Sequence, residues 1–449
     1  VQKKTEIMRK IVVISLLAFI GISCKTTKNL SNRSPYAKMI DTSAALSQSV
    51  TGMALYDLAA NKMIFERNAN RYFTPASNTK LFTFYACLKT LGDSIPALRY
   101  EIKSDSLIFW GTGDPTFFHP DLISTKTFDF LKSYKRTKRF YFSDGNFTNQ
   151  SFGEGWAWDD YNDYYSPELS PMPMYGNIVR VKVENSELKP QPSIFDNSFY
   201  KKDEGTLPNS ITRTVADNQF LYPKSLLQKV NYQQDIPYKT STALTQQLLI
   251  DTLRRNINLL KTPVSVNAKT LYSTPTEEVY RLMMQESDNM LAEHLLLLCG
   301  ATLKDSLNSS FAIKSITEKY LQDLPDAPKW VDGSGLSRYN LFTPRSIIKL
   351  LEKIYVAIPE EKLFSILPAG GKSGTVKNMF KTERRPTEEK PYVFAKSGSL
   401  SGVYNLSGYL ITKKGKTLLF SFMNNNFNKP TSQIRKEVEK ILMNVRERE

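Results

Sequence analysis

The chain changes texture twice, and that pattern limits its architecture more than any other feature. Residues 45–66 read as a helix followed by two short alternating runs, 53–58 and 62–66, about Ala60-Asn61, which is a β-hairpin signature. The loop Tyr72-Phe73-Thr74-Pro75-Ala76-Ser77 then enters a helix over 77–91 that stops near Gly92. From about Tyr100 to Lys261 helical periodicity is lost. Short strands are expected there at 107–110, 140–143, 178–183 and 211–214, with aromatic and polar loops between them. Helical character returns at 276–301 and 344–357, before strands at 406–412 and 416–423 and a terminal helix at 430–445. The last two strands, joined by Lys413-Lys414-Gly415, suggest an antiparallel sheet. An α/β protein interrupted by a β-rich insertion accounts for this order, and the length favours two or more domains.

The N-terminus carries Lys3, Lys4, Arg9 and Lys10, then an apolar stretch from Ile11 to Ile22, then Ser23 and Cys24. A basic region, a short apolar run and a small residue before a cut form a signal peptide over 1–23. The run is shorter than the roughly 20 apolar residues of a spanning helix. Gly21-Ile22-Ser23-Cys24 resembles a bacterial lipobox, with Cys24 the lipidated residue, although Gly21 stands where leucine is usual. Lipid chains on Cys24 would hold the protein at a membrane by burying methylene groups. Plain secretion is the alternative. The expected location is the bacterial cell envelope, by export to the periplasm.

Lys and Arg outnumber Asp and Glu, 60 to 44, for a formal charge of +16. Nucleic acid is not expected as the partner. The leader carries the chain away from it, and the basic residues are scattered, with one modest cluster at Lys132, Lys135, Arg136, Lys138 and Arg139. An anionic envelope polymer or membrane surface explains the charge more simply. Cys87 and Cys299 lie in apolar helix-like runs and read as two free buried thiols, one disulfide between them being the alternative. No metal or cofactor is expected. His119 and His294 are the only histidines and have no ligand spacing, and His294 on its apolar helix reads as structural.

Three short motifs carry chemistry. In Ser77-Asn78-Thr79-Lys80 the spacing puts both end residues on one helix face. A lysine with a depressed pKa can activate the serine, and the N–H of Ser77 can meet a developing oxyanion. Ser198 with Lys201 and Ser346 with Lys349 match the same spacing, but only Ser77 opens an apolar helix that would be buried at a domain centre. Ser287-Asp288-Asn289 sits in a polar break between helices, where Ser287 can pass a proton to a leaving amine and Asn289 can hold a substrate amide. Ser306-Leu307-Asn308 matches it by spacing alone. Lys396-Ser397-Gly398-Ser399 follows the strand-like run 391–395. There Lys396 and Ser397 can bind a carboxylate, Gly398 can let substrate backbone pair with the strand, and the Ser399 N–H can be the second oxyanion donor. The near-duplicate Lys372-Ser373-Gly374-Thr375 lies in a glycine-rich loop and is expected to support the fold.

In this order, and with the long gap after the first, the three motifs resemble those of the penicillin-binding protein 4 type of D-alanyl-D-alanine carboxypeptidase/endopeptidase, peptidase family S13. Further stretches of the same resemblance are Gly111-Thr112-Gly113-Asp114-Pro115, Gly155-Trp156-Ala157-Trp158-Asp159-Asp160, the run from Asp332 to Arg338, Leu367-Pro368-Ala369-Gly370 and Leu406-Ser407-Gly408-Tyr409. Ser397 stands where the family usually has threonine, which keeps the hydroxyl. The resemblance implies a β-lactamase/transpeptidase-like domain, an antiparallel sheet flanked by helices with a helical subdomain. Its parts would be 24–99 and 262–449, split by accessory subdomains at 100–261. It also implies cleavage of D-Ala-D-Ala ends and D-alanyl cross-links in peptidoglycan stem peptides, with β-lactams as covalent inhibitors. Asp144, Glu154, Asp159 and Asp160 in the insertion are candidates to meet a stem-peptide amine. The competing classes are a β-lactamase or esterase on the same scaffold, and a noncatalytic envelope-binding protein. The second is expected to lack Ser77, Lys80 or Lys396, and all three are present.

Mass spectrometry of the native N-terminus tests the leader. Lipidation predicts a chain beginning at a diacylated Cys24, and a bare Cys24 or a cut elsewhere removes it.

Overall fold

The computed structural model of the protein describes residues 34–134, 139–203, 209–381 and 390–449. The expected leader, Cys24, and Lys135, Arg136 and Lys138 of the basic cluster lie outside the described residues.

A five-stranded antiparallel sheet is ordered in space as Val393–Leu400, Val403–Ile411, Thr417–Asn425, Val50–Asp57 and Lys62–Arg67. The N-terminal hairpin therefore completes a sheet whose other strands come from the end of the chain. Its register sets Ala54 opposite Ser421. Alternation then sends Leu418, Phe420 and Phe422 to one face, against Ile434, Val438 and Ile441 of the terminal helix Thr431–Arg448. Leu419 and Met423 point the other way, into a helical layer. Both faces are covered, which explains why Leu418 to Met423 is apolar on both sides of the strand apart from Ser421.

That helical layer contains Lys80–Thr90, Asn289–Lys304 and Pro344–Ala357. Cys87 and Cys299 are buried thiols on the first two, with sulfurs 3.8 Å apart and no bridge between them. The helical stretch over 276–301 is two helices, Thr276–Gln285 and Asn289–Lys304, with the polar break expected at Ser287-Asp288-Asn289 between them, where Ser287 adopts a left-handed φ of 60°. The helix expected at the start of 45–66 lies earlier, at Pro35–Thr42, with Ser34 capping it and proline in its first turn. Residues 44–48 are turns instead. The Ser49 hydroxyl donates to the Leu46 carbonyl there, a local bond that competes with helix.

The β-rich insertion is built on a mixed sheet in the order Asn258–Leu259, Arg139–Ser143, Ser106–Gly111, Ser94–Lys103 and Lys269–Pro275. Ser106–Gly111 and Arg139–Ser143 are parallel and joined through the helix Lys126–Ser133. Two three-stranded sheets and the helix Thr242–Leu253 share its core. The insertion's first and last strands pair with each other, Leu98 opposite Leu271, so the chain leaves and returns at one place. Ser94–Lys103 runs across the expected limit at 100, and Lys269–Pro275 lies beyond the one at 261. Alternation within a strand marks its face, but not the distant strand it will pair with.

Candidate active site

The three motifs meet along one edge of the central sheet. Ser77 is held in a short 3₁₀ turn, Ala76–Thr79, and the α-helix begins only at Lys80. The turn enters through Ala76, whose φ of 46° is unusual for a residue with a side chain. Neighbouring backbone fixes it. The Asn78 amide donates to the Lys396 carbonyl at 3.0 Å, and Asn78 N donates to the Pro75 carbonyl. Two glycines allow this approach. A Cβ on Gly398 would lie 2.6 Å from Pro75 O and 2.9 Å from Ser77 N, and one on Gly335 (φ 85°) would lie 1.9 Å from Ala76 O. Gly398 thus lets the edge strand close against the turn bearing Ser77, a packing reason beside the expected one of access for substrate.

Lys80 is fully buried. Its Nζ lies 3.1 Å from Ser77 Oγ, 2.6 Å from Asn289 Oδ1 and 2.8 Å from the Ser334 carbonyl. Burial pushes its pKa down to about 8, against the opposing pull of Asp288, Glu293 and Asp332. A neutral lysine amine has two N–H groups and one lone pair. Asn289 Oδ1 and Ser334 O can only accept, so they take the N–H groups. The lone pair then faces the one partner able to donate, the Ser77 hydroxyl. That is the geometry a general base requires.

Lys396 is also fully buried, on the edge strand Val393–Leu400. Its Nζ donates to Ser287 Oγ at 2.9 Å and to the Ser397 carbonyl at 2.7 Å. Burial, and then the charge of Lys80, hold it well below the usual lysine range. Asn289 donates its Nδ2 to the Tyr165 carbonyl at 2.9 Å, so both ends of its amide are engaged. Asp288 between them caps the following helix, accepting from Leu291 N at 2.8 Å.

A cleft of about 890 Å³ opens over this group, lined by Ser77, Ser287, Asn289, Ser397 and Ser399. Thr375 also lines it and accepts from Ser397 Oγ at 2.7 Å. The near-duplicate motif is therefore more than a support, since its last residue reaches the site. Behind the site, Glu293 accepts from Gly333 N and Ser334 N, and Asp332 accepts from Gly335 N and Ser337 N. Burial raises both acids, Glu293 to about 8, with Asp332 the next cause for Glu293. Glu293, Asp332, Ser334 and Thr375 escaped the reading of single motifs. The only sequence signal for three of them was their place in longer runs, 332–338 and 372–375.

Of the four acids singled out in the insertion, Asp160 lines the cleft, where it accepts from the Tyr165 hydroxyl at 3.1 Å. Asp144 is bonded instead to the Thr242 hydroxyl, and Glu154 and Asp159 are exposed. The aromatic run divides likewise: Trp156 packs on a small core with Leu169 and Leu297, while Trp158 is 79% exposed. Ser346 donates to the Asp326 carbonyl and Lys349 pairs with Glu352, so the second Ser-x-x-Lys spacing is structural. His294 is buried between Met290 O and Ser170 N. Asn308 caps the helix Ser309–Tyr320.

Comparison with known proteins agrees in both sequence and shape. The carboxypeptidase DacB of Haemophilus influenzae is 26% identical over 416 residues, covering 82% of this chain and 84% of that protein. A penicillin-sensitive carboxypeptidase A of Dictyostelium discoideum is 24% identical over 425 residues, covering 81% and 80%. The crystal structure of penicillin-binding protein 4 from Haemophilus influenzae superimposes with a TM-score of 0.73 at 21% identity, over 92% of this chain and all of that one. A predatory peptidoglycan endopeptidase from Bdellovibrio bacteriovorus shares the fold at a TM-score of 0.51 and 16% identity, over 88% and 93%. The model of one peptidase family runs through residues 36–445, from the first helix to the last and across the insertion between them, and the chain belongs to that family, the D-Ala-D-Ala carboxypeptidase 3 (S13) family.

Proposed function

We propose that this protein is a serine-type D-Ala-D-Ala carboxypeptidase and/or DD-endopeptidase that cleaves peptidoglycan stem peptides in the cell envelope through an acyl-enzyme on Ser77. The observation that carries the reading is the hydroxyl of Ser77 at 3.1 Å from a buried lysine whose other two partners can only accept. Lys80, neutral, takes the proton of Ser77, and Oγ attacks the D-alanyl carbonyl. The N–H groups of Ser77 and Ser399 receive the oxyanion. Lys396 holds Ser287 Oγ and the Ser397 carbonyl from behind the edge strand, and the Ser397 hydroxyl, turning its O–H away from Thr375 and accepting from the Thr375 hydroxyl instead, donates to the substrate's terminal carboxylate. Ser287, bonded to Lys396, gives its proton to the leaving amine and takes up the one that Lys80 removed from Ser77, which leaves Lys80 neutral again, and Asn289 holds the stem amide with what its contacts leave free. Water then releases the acyl group by the same steps in reverse.

The family assignment and the intact Ser77, Lys80 and Lys396 favour this over a noncatalytic binder. A β-lactamase or esterase would require rapid deacylation, and Glu293, a buried acid behind Lys80, is spent on Gly333 and Ser334. Export to the periplasm accords with the family, and we propose lipid attachment through Cys24. We place the module limits at the paired strands, near Gly92 and Pro275, rather than at 100 and 261. Asp160 is the insertion acid we assign to a stem-peptide amine, since it lines the cleft.

Incubation with penicillin and mass spectrometry tests the nucleophile. The wild type should gain one penicilloyl group and Ser77→Ala none, while Lys80→Ala should acylate two to four orders of magnitude more slowly, roughly the worth of a positioned base. A folded Ser77→Ala protein that still forms the adduct ends the assignment. With the Lys80 pKa near 8, the neutral base grows as pH rises. Acylation should therefore climb about tenfold per pH unit below that value and level off above it; a rate that falls between pH 6 and 8 excludes Lys80 as the base. Asp160→Asn should slow cleavage of a diamino-acid stem peptide more than penicillin acylation, and equal losses on both remove its role.

A further inference from the structure

The two acceptors that direct the Lys80 lone pair are themselves held from the insertion. Asn289 presents Oδ1 to Lys80 because its Nδ2 is drawn to the Tyr165 carbonyl at 2.9 Å. Turning that amide over would set its NH₂ against the Lys80 amine and its oxygen against a carbonyl. When Lys80 loses its charge its own grip on Oδ1 slackens, and the Tyr165 carbonyl remains to keep the amide in place. The other acceptor, Ser334 O, belongs to the tight loop from Asp332 to Ser337. Asp332 gathers that loop by accepting from Gly335 N, Ser337 N and the Asn340 amide. A fourth donor completes the set, the indole N–H of Trp156 at 3.0 Å from Asp332 Oδ2. The fit between insertion and loop is close: Gly155 has a φ of 76°, and a Cβ there would lie 2.7 Å from the Tyr339 ring and 2.8 Å from Ser337 Oγ.

We infer that two groups of the insertion, the Trp156 indole and the Tyr165 carbonyl, are positioning groups for acylation, holding Asp332 and Asn289 so that the two acceptors of Lys80 stay in place. Trp156 touches no reacting atom and acts through Asp332. The inference rests on the reading of Lys80 as the base for Ser77, and its failure is separable from the failure of that reading, which the Ser77→Ala adduct decides.

The test is saturation kinetics of penicillin acylation with active-site titration, on the wild type, Trp156→Phe, Trp156→His and, as a control, the exposed Trp158→Phe. Losing a hydrogen bond to a charged group should lower the limiting acylation rate about tenfold in Trp156→Phe, at unchanged half-saturating concentration and unchanged titre. Trp156→His keeps a ring N–H and should recover part of that rate, although histidine fills the space less well than phenylalanine. Trp158→Phe should acylate like the wild type. A filler role predicts the reverse order, phenylalanine above histidine, with loss of titre and a normal rate per titrated site. That order, or wild-type rates in both Trp156 variants, overturns the proposal. If Trp156→Phe yields no titratable protein, the limiting rate of Trp156→His decides: a wild-type rate overturns the inference, and a reduced rate at wild-type half-saturation supports it.

Discussion

Burying the amine of Lys80 costs solvation, and the surroundings of the site are arranged to meet that cost without restoring water. Among the described residues three oxygens lie within hydrogen-bond reach of Nζ, and none is a carboxylate. A direct ion pair would hold the ammonium form and defeat a base. The acids stand one layer back instead. Glu293 and Asp332 bind the backbone of the loop that offers Ser334 O, so their charge reaches Lys80 only through space. Desolvation outweighs that attraction, and the balance leaves the lysine able to exchange its proton near neutral pH.

Around this pair the backbone is drawn unusually close. The turn bearing Ser77 is pressed by the edge strand at Gly398 on one side and by the loop at Gly335 on the other. Either glycine given a side chain would strike backbone, which cannot rotate away. Such packing holds the strained φ at Ala76, beside the proposed nucleophile. Pre-organisation here comes from backbone-to-backbone fit, with side chains supplying direction.

Charge is distributed against the average of the chain. The formal charge is +16, yet among the described residues Asp121, Asp160, Asp235, Glu286 and Asp288 line the cleft against Arg435 alone of the lysines and arginines. Arg180 nearby is taken up by Asp121 and Asp235. A basic composition describes the outer surface and its long-range field. The cleft has its own field, set by groups a few ångströms from a ligand and less screened than those in open solvent.

Local signals were enough for much of this molecule. The hairpin at 53–66, the terminal strands and helices, the Ser77 helix and the three motifs all depend on contacts between residues close in sequence, so periodicity and spacing reveal them. Spacing alone could not choose Ser77 over Ser346, and burial beneath an apolar helix made the difference. What stayed hidden depends on pairs far apart in the chain. Lys80 meets Ser334, Ser397 meets Thr375, and Trp156 meets Asp332, and in each case neither residue's neighbours announce the other. The pairing of Ser94–Lys103 with Lys269–Pro275 escaped for the same reason, because a strand's alternation does not name its partner. The sequence by itself determined which residues could react and which segments would be helix or strand. Only the tertiary structure decided which of them share a hydrogen bond, and with it the direction of the Lys80 lone pair, because that direction depends on two acceptors, Asn289 and Ser334, brought to Lys80 from distant parts of the chain.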